Sequence, residues 1–562
     1  MYEKFTFPFL LLIIFSVPAV LFAQQENGVY WKIKKDHWDD ADEKRYEEFI
    51  ISIGNALEKR QCRSVLSCLG SSAINPYRNS DPKDMRYQSD CADFPYYLRA
   101  YFAWKNSLPF SFAASMRPNS GKSNKRGLRY SVEGNVVAKR LGVTSKQGSY
   151  PNALKVLHSI NGNVSSAMFR LPPQLDSDSN DSEHFPDFYP VRITRESIRP
   201  GTSIYDADGH VAIVHRVEPN GNIQIFDAHP KSSISWKLFE TKQFERSRPN
   251  HGVGFKNWRP LKLIGATKIG DSYIGGRIVS ESNRDLPDYS VEQYYGNSPD
   301  SLNNWKQAKY IWRANILSSF QEYLRYALAI GDLKFNPVDE LRSKLNSLCS
   351  ELQDRAYAVE IALANGIHKK PHPQRLPENI YGTNGEWEDY STPSRDARIK
   401  VSFQAIYDDI AGFLEGYYVA KDPKIVYSGE NLISDLLEVY EKANQECKIS
   451  YTKSNGVSKN LTLREITKKL FKLSFDPYHC PELRWGELDQ ELASCLDNQD
   501  KRKWYEAEQG LRNQLERTYD AKMDFTADEL LHTSKNNLNI LGAGVSSVPN
   551  VEVEAFLKKS WY

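Results

Sequence analysis

Two residues of this chain could do chemistry together. Cys91 lies in Ser89-Asp90-Cys91-Ala92-Asp93-Phe94, at a loop-to-helix junction. His210 lies in Asp208-Gly209-His210-Val211-Ala212-Ile213-Val214, where a turn runs into a strand. A thiol opening a helix and an imidazole opening a strand are the two halves of a nucleophile and its base. Asp90 or Ser89 can cap the helix, and a thiol in the first turn sits near the positive end of the helix dipole, which favours thiolate. Asp93 opposes that charge, and Pro95 cannot donate to the carbonyl four residues back, so the first turn is distorted or the helix starts later. The competing reading of Cys91 is a small buried residue under an aromatic helix face formed by Phe94, Tyr97, Leu98, Tyr101 and Phe102.

The base needs a third group to fix its orientation and tautomer. Alternation places His210, Ala212 and Val214 on one face of the strand and Val211, Ile213 and Val217 on the other. Glu218-Pro219-Asn220-Gly221 predicts a hairpin turn into Ile223-Gln224-Ile225-Phe226-Asp227. A tight loop would pair Val214 with Asp227 and Ala212 with His229, putting His210, Asp227 and His229 on one face. A carboxylate at Asp227 would stabilise imidazolium, whereas His229 is nearer in that register; both stand as third residue. A lone histidine near a strand end is otherwise a satisfied structural residue.

The elements that must position these groups belong to a chain of 562 residues, long enough for two or three domains. Hydrophobic residues make up 40% and aromatics 12%, which excludes a disordered protein. With 73 basic and 71 acidic residues and no Lys/Arg run, nucleic-acid binding is not expected. Lys4 followed by an apolar stretch from Phe5 to Phe22 predicts a secretory signal ending at Ala23. The rival is an uncleaved membrane anchor. Export implies an oxidising compartment. Of seven cysteines, Cys62–Cys68, Cys480–Cys495 and Cys349–Cys447 form a plausible set of pairs, which leaves Cys91 single. The alternative is that several of these thiols are reduced and buried. Trp312, Ile316, Phe320, Tyr323 and Ala327 recur at helical spacing, as do Leu341, Leu345, Leu348, Leu352 and Ala356. Ile449–Leu461 predicts a small hairpin among further helices.

Asp90-Cys91-Ala92-Asp93-Phe94, Arg199-Pro200-Gly201-Thr202 and Gly209-His210-Val211-Ala212-Ile213-Val214 together resemble the papain-like superfamily, in its bacterial cell-wall branch of NlpC-type endopeptidases and CHAP amidases. Asp227 and His229 fall 17 and 19 positions after His210, which is closer to the CHAP spacing. Thr202 stands where the family pattern has Asp, and the 119 positions between Cys91 and His210 call for an insertion. The resemblance covers roughly residues 80–260. It implies an α+β papain-like catalytic domain, here followed by a mostly α-helical C-terminal domain. The expected organisation is a signal over 1–23, an N-terminal helical segment over 24–60, the papain-like domain over 61–275, a linker over 276–300, the helical domain over 301–535 and a tail over 536–562.

The activity implied is hydrolysis of amide bonds in peptidoglycan peptides by an exported, periplasmic or secreted bacterial protein. Gln88 and Tyr87, just upstream of the thiol, are the candidates for contacting the substrate carbonyl. Trp387 and Tyr390, in the Gly-rich acidic stretch Tyr381–Tyr390, could stack on sugar rings or plug a core. No cofactor or metal is expected: there is no H-E-x-x-H, and His368-Lys369-Lys370-Pro371-His372 predicts a loop rather than a metal site. The alternative function is a non-catalytic papain-fold envelope scaffold or ligand-binding protein, with the helical domain docking an envelope partner.

Overall fold

A computed structural model describes residues 29–122, 127–175, 184–207, 209–239, 246–299, 304–378, 380, 385–390, 393–515, 523–536 and 548–560. The signal expected over 1–23, Asp208, the loop Ser177–Ser182 and Tyr381–Asn384 lie outside these residues. Among the described residues no helix is long and apolar enough to cross a membrane.

The molecule is mixed α/β. Helix α1 (Asp40–Glu58) starts on an Asp39/Asp42 capping box and buries Tyr46, Phe49, Ile50, Ile53 and Leu57. After α2 (Val65–Leu69) comes α3 (Asp93–Lys105), the aromatic helix following the thiol. Pro95 falls in its first turn, where no intrahelical donor is missed, so the helix is undistorted and begins two residues after Cys91. Strands β1 (Ser111–Pro118) and β2 (Asn135–Gly142) form a hairpin, and α4 (Ala153–Asn163) follows.

The central element is a six-stranded sheet of antiparallel pairs. Its strands are β3 (Phe188–Pro190), β4 (Ser203–Tyr205), β5 (Val211–Val217), β6 (Ile223–Ala228), β7 (Ile234–Leu238) and β8 (Gly254–Trp258), in the order β3-β8-β4-β5-β6-β7. One face packs on α1 and α3 through Val211, Ile213, Phe226 and Ala228; Phe94 meets Phe226 edge-on, 6.0 Å between ring centres. The opposite face carries Ile204, Ala212, Val214, Ile223 and Ile225.

The β5–β6 register differs from the tight-turn expectation by two residues: Val214 pairs with Ile225, not Asp227. A slip of two preserves which face each side chain takes. The pairing also contains a bulge between Val214 and Arg216. His215 and Arg216 therefore both turn toward α1, where they meet Asn55 and Glu58. Val217 is thrown to the opposite face from Val211 and Ile213, correcting the strict alternation. Gly54 makes the bulge fit, since a Cβ there would lie 2.2 Å from the His215 ring.

A further hairpin, β9 (Leu261–Ile269) and β10 (Ser272–Ser280), leads to α5 (Glu292–Tyr295). The stretch expected as a linker, 276–300, is instead built into the sheet edge: Gln293 accepts the Phe255 N–H and Glu292 the Ile193 N–H. Residues 310–317, whose spacing suggested helix, form a hairpin of β11 (Tyr310–Trp312) and β12 (Asn315–Leu317), turned at Arg313 with positive φ. Helix begins only at α6 (Phe320–Leu328), whose Phe320, Leu324 and Leu328 cover the sheet.

The remaining chain is mostly helical: α7 (Pro337–Ala364), α8 (Glu386–Asp389), α9 (Pro393–Leu414) and α10 (Leu432–Glu446), then the hairpin β13 (Lys448–Thr452) and β14 (Ser458–Thr462). After it come α11 (Leu463–Lys469), α12 (Pro481–Arg484), α13 (Gln499–Ala507), α14 (Gln509–Arg512), α15 (Ala527–Asn536) and α16 (Val553–Ser560). The expected tail is not loose where it is described, since Val551, Val553 and Leu557 pack into the core of α7, α9 and α10. Cys62–Cys68, Cys349–Cys447 and Cys480–Cys495 are bonded, and Cys91 is the free cysteine among the described residues.

Candidate active site

Cys91 is fixed by the turn that precedes α3. Asp90 Oδ1 accepts the Ala92 and Asp93 N–H groups at 2.8 and 3.2 Å, and Asp93 Oδ1 accepts the Asp90 N–H at 2.6 Å and the Ser89 hydroxyl. Burial, with the Asp90 charge beside it, pushes the Asp93 carboxyl up to about 8. At neutral pH it is mostly protonated and does not oppose a thiolate in the way its sequence position suggests.

The thiol reaches the end of β5. Strands β5 and β6 pair only from Ile213–Phe226 to Val217–Ile223. Beyond that they diverge, and the Val211 N–H, which continued pairing would give to β6, faces Cys91 and eases its ionisation. Cys91 thus sits in the mouth between the two strands, one residue along from His210. It is half-buried. Burial pushes its thiol well above the usual range, with Asp90 and Asp227 adding to the effect; the Val211 amide and the Arg129 charge oppose it.

Across the same mouth His210 Nε2 is hydrogen-bonded to Asp227 Oδ2. Asp227 also accepts the Ser235 hydroxyl at 2.5 Å and the Lys237 ammonium at 2.8 Å, both from β7. Ser235 Oγ in turn lies 2.8 Å from His229 Nε2 and accepts its N–H, so His229 reaches the acid through Ser235. Its ring stacks beside that of His210, 6.0 Å between centres. The structure brings Cys91, His210, Asp227 and His229 to one strand end, with Asp227 the group bonded to His210.

This end of the sheet is closed by the helical part of the chain. Helix α7 packs along β7, and Ser347 Oγ accepts the Leu238 N–H at 3.0 Å. Burial pushes the His210 imidazole down to about 4, with Arg398 of α9 adding to the shift and Asp227 opposing it. Against the upward push of burial, Lys237 and the two histidines hold the Asp227 carboxyl well below the usual range. Burial, then the Asp227 charge, drives Asp354 of α7 well above that range. Asp354 also lines a cavity of about 330 Å³ with Trp236, Gln353 and Tyr357; neither Cys91 nor His210 lines it. At the rim, α8 is held by Lys231–Asp389 at 2.7 Å and Arg129–Glu388 at 3.7 Å.

No family model, no curated protein and no solved structure matches this chain. Any function must be read from its own residues.

The other candidates fall differently. Gln88 is exposed three residues before the thiol, its carbonyl accepting from Asn161 Nδ2 at 2.9 Å. Tyr87 is buried with its hydroxyl on Asp81, so it does not face a substrate. Trp387 is 5% exposed and packs against Tyr478 and His372, ring centres 5.6 and 5.9 Å away. Tyr390 is buried with Lys231 over its ring. Their faces are spent on packing, which corrects the sugar-stacking reading. Ser235, Lys237, Asp354 and Arg398 were missed. A lysine alternating with apolar Ile234, Trp236 and Leu238 on a strand is the signal for Lys237, because such a charge needs a buried counter-charge.

Proposed function

We propose that the protein is an exported cysteine hydrolase of papain-like fold that cleaves amide bonds of cell-wall peptides, with Cys91 as nucleophile, His210 as base and Asp227 as the orienting acid. The observation that carries this reading is that the free thiol meets the backbone amide next to His210, whose far nitrogen is held by a buried carboxylate. With the proton of neutral His210 on Nε2 toward Asp227, Nδ1 is the basic nitrogen.

The resting pair is thiol and neutral imidazole. Attack of Sγ on the amide carbonyl transfers the thiol proton to Nδ1, and Asp227 stabilises the imidazolium. That proton then passes to the leaving amine as the C–N bond breaks. Water, deprotonated by the same nitrogen, releases the acyl group from sulfur. The thiol in the turn just ahead of a helix, the antiparallel sheet beside His210 and the acid on the neighbouring strand support the fold reading. The substrate class rests on the three short motifs, and export on the apolar N-terminal stretch together with three disulfides.

A second reading is favoured by one observation: burial that keeps the thiol protonated suits a non-catalytic scaffold. Incubating purified sacculi with the wild type and with Cys91→Ser, then mapping soluble muropeptides by mass spectrometry, separates the two. Release by the wild type alone is expected. Release by neither excludes the cell-wall substrate, and equal release by both excludes the thiol.

A further inference from the structure

A second cluster of ligand-type side chains lies in the helical part of the chain. His372 follows α7 in an extended loop, Asp476 precedes α12, and Glu508 forms the joint between α13 and α14. All three side chains are fully buried. One donor atom from each lies within 4.8 Å of the other two.

The hydrogen bonds around them do not close. His372 Nδ1 is 2.6 Å from the Pro373 carbonyl, which can only accept, so Nδ1 carries the proton. The ring's Nε2 lies 2.8 Å from Asp476 Oδ2, a contact closed by a proton on that nitrogen or by a cation that takes the proton's place. Asp476 Oδ1 is satisfied separately, by the Tyr478 N–H at 2.7 Å. Glu508 is the decisive member: both its carboxylate oxygens are buried without a hydrogen-bond partner, although it points into this cluster. A buried carboxylate without donors is costly unless a cation or proton meets it.

The neighbouring cations do not hydrogen-bond it. Arg512 comes no nearer to Glu508 than 3.8 Å. Arg355 is taken by both oxygens of Asp396 at 2.9 Å. Lys501 Nζ donates to the carbonyls of His368 and Tyr478. His479 is not a further ligand, because its Nδ1 takes the Ser474 hydroxyl and its Nε2 donates to the Lys501 carbonyl.

We propose that His372, Asp476 and Glu508 form a buried structural site for a divalent cation of the zinc class. Imidazole with two carboxylates is a borderline-hard donor set that suits Zn²⁺, and the His372 Nδ1–carbonyl bond is the outer anchor a ligating histidine needs. Bonds of about 2.0–2.2 Å place tetrahedral ligands about 3.4 Å apart, so His372 and Asp476 part by about half an ångström while Glu508 closes in on them. The cation would tie the loop after α7 to the segment before α12 and to the α13–α14 joint.

The test uses tag-free full-length protein with its disulfides intact, stripped with EDTA and then given Zn²⁺ alone. Expected are one Zn²⁺ retained per chain after gel filtration, a rise in Tm, and visible d–d bands when Co²⁺ replaces it. Glu508→Gln, nearly isosteric, weakens Zn²⁺ affinity roughly tenfold or more and removes the Co²⁺ bands, with circular dichroism unchanged. If that variant does not fold, His372→Gln is read in the same way. Folded wild-type protein that retains no Zn²⁺ overturns the proposal, with a shared proton then filling the place. Glu508→Gln binding as tightly as the wild type overturns it too.

Discussion

The Lys237–Asp227 pair offers a quantitative check on the buried cluster. Lys237→Met removes the ammonium, keeps the side-chain length, and leaves Asp227 with His210 and Ser235. The two charged groups are 2.8 Å apart with side chains 5% and 0% exposed. At an effective dielectric of about 20 their gross attraction is about 6 kcal/mol. Losing one partner of such a pair costs about 3–5 kcal/mol, because the other charge stays buried. Lys237→Met falls near the lower figure, since two donors still reach the carboxylate. Asp227→Asn falls near the upper, since it strands the ammonium and removes the anion beside His210. The double variant buries neither charge and costs about 2 kcal/mol or more below the sum of the singles. Urea unfolding at pH 7 without reductant, followed by tryptophan fluorescence, gives all four stabilities. Singles that add to within about 0.5 kcal/mol refute the direct pair.

Iodoacetamide applied to unreduced protein will label Cys91 alone, at pH 7 about tenfold slower than an exposed cysteine, because burial keeps the thiol protonated; peptide mapping that finds Cys91 in a disulfide contradicts this. His210 and His479 are both pushed down to about 4, chiefly by burial. Between about pH 6.5 and 4 each of these two histidines binds more protons unfolded than folded, so its own contribution to stability falls as pH falls through that window, while the raised carboxyls of Asp93 and Asp354 act in the opposite sense. Each histidine contributes up to about 1.4 kcal/mol per pH unit, so the stability of the wild type relative to His210→Gln should fall from pH 7 to 5 in urea unfolding, and a difference that does not change with pH would speak against it. Loop length ranks the disulfides: removing Cys349–Cys447, separated by 98 residues, costs about 4–5 kcal/mol, against about 3 for Cys480–Cys495 and about 2 for Cys62–Cys68. A reversed order in paired Cys→Ala variants, measured by denaturation, contradicts the chain-entropy argument.

Parts of this arrangement are legible in the sequence and parts are not. Local rules reach α1 and the helix after Cys91, because capping residues and apolar periodicity are written within a few turns. The common face of His210, Asp227 and His229 is legible because a strand has period two, which even a two-residue slip respects. The register is not, because the bulge at Val214–Arg216 is set by His215 packing on Gly54, 161 positions away in sequence. The run Trp312, Ile316, Phe320 misleads because two strand residues happen to share helical spacing with the helix that follows. Lys237 escapes a motif search because its partner is on the adjacent strand. His372 reads as a loop residue because its partner Asp476 is 104 positions away.

The closure of α7 over β7 makes the sheet and the helices unfit for exchange as separate cassettes. A fragment ending after β10 would lose the Ser347 acceptor for Leu238 and open Asp227, Lys237 and His229 to water. The helices alone would keep Asp354 and Arg395 with no counter-charges from β6 and β7. A substitution on either side of this seam calls for compensation on the other, so the two halves of the chain must change together.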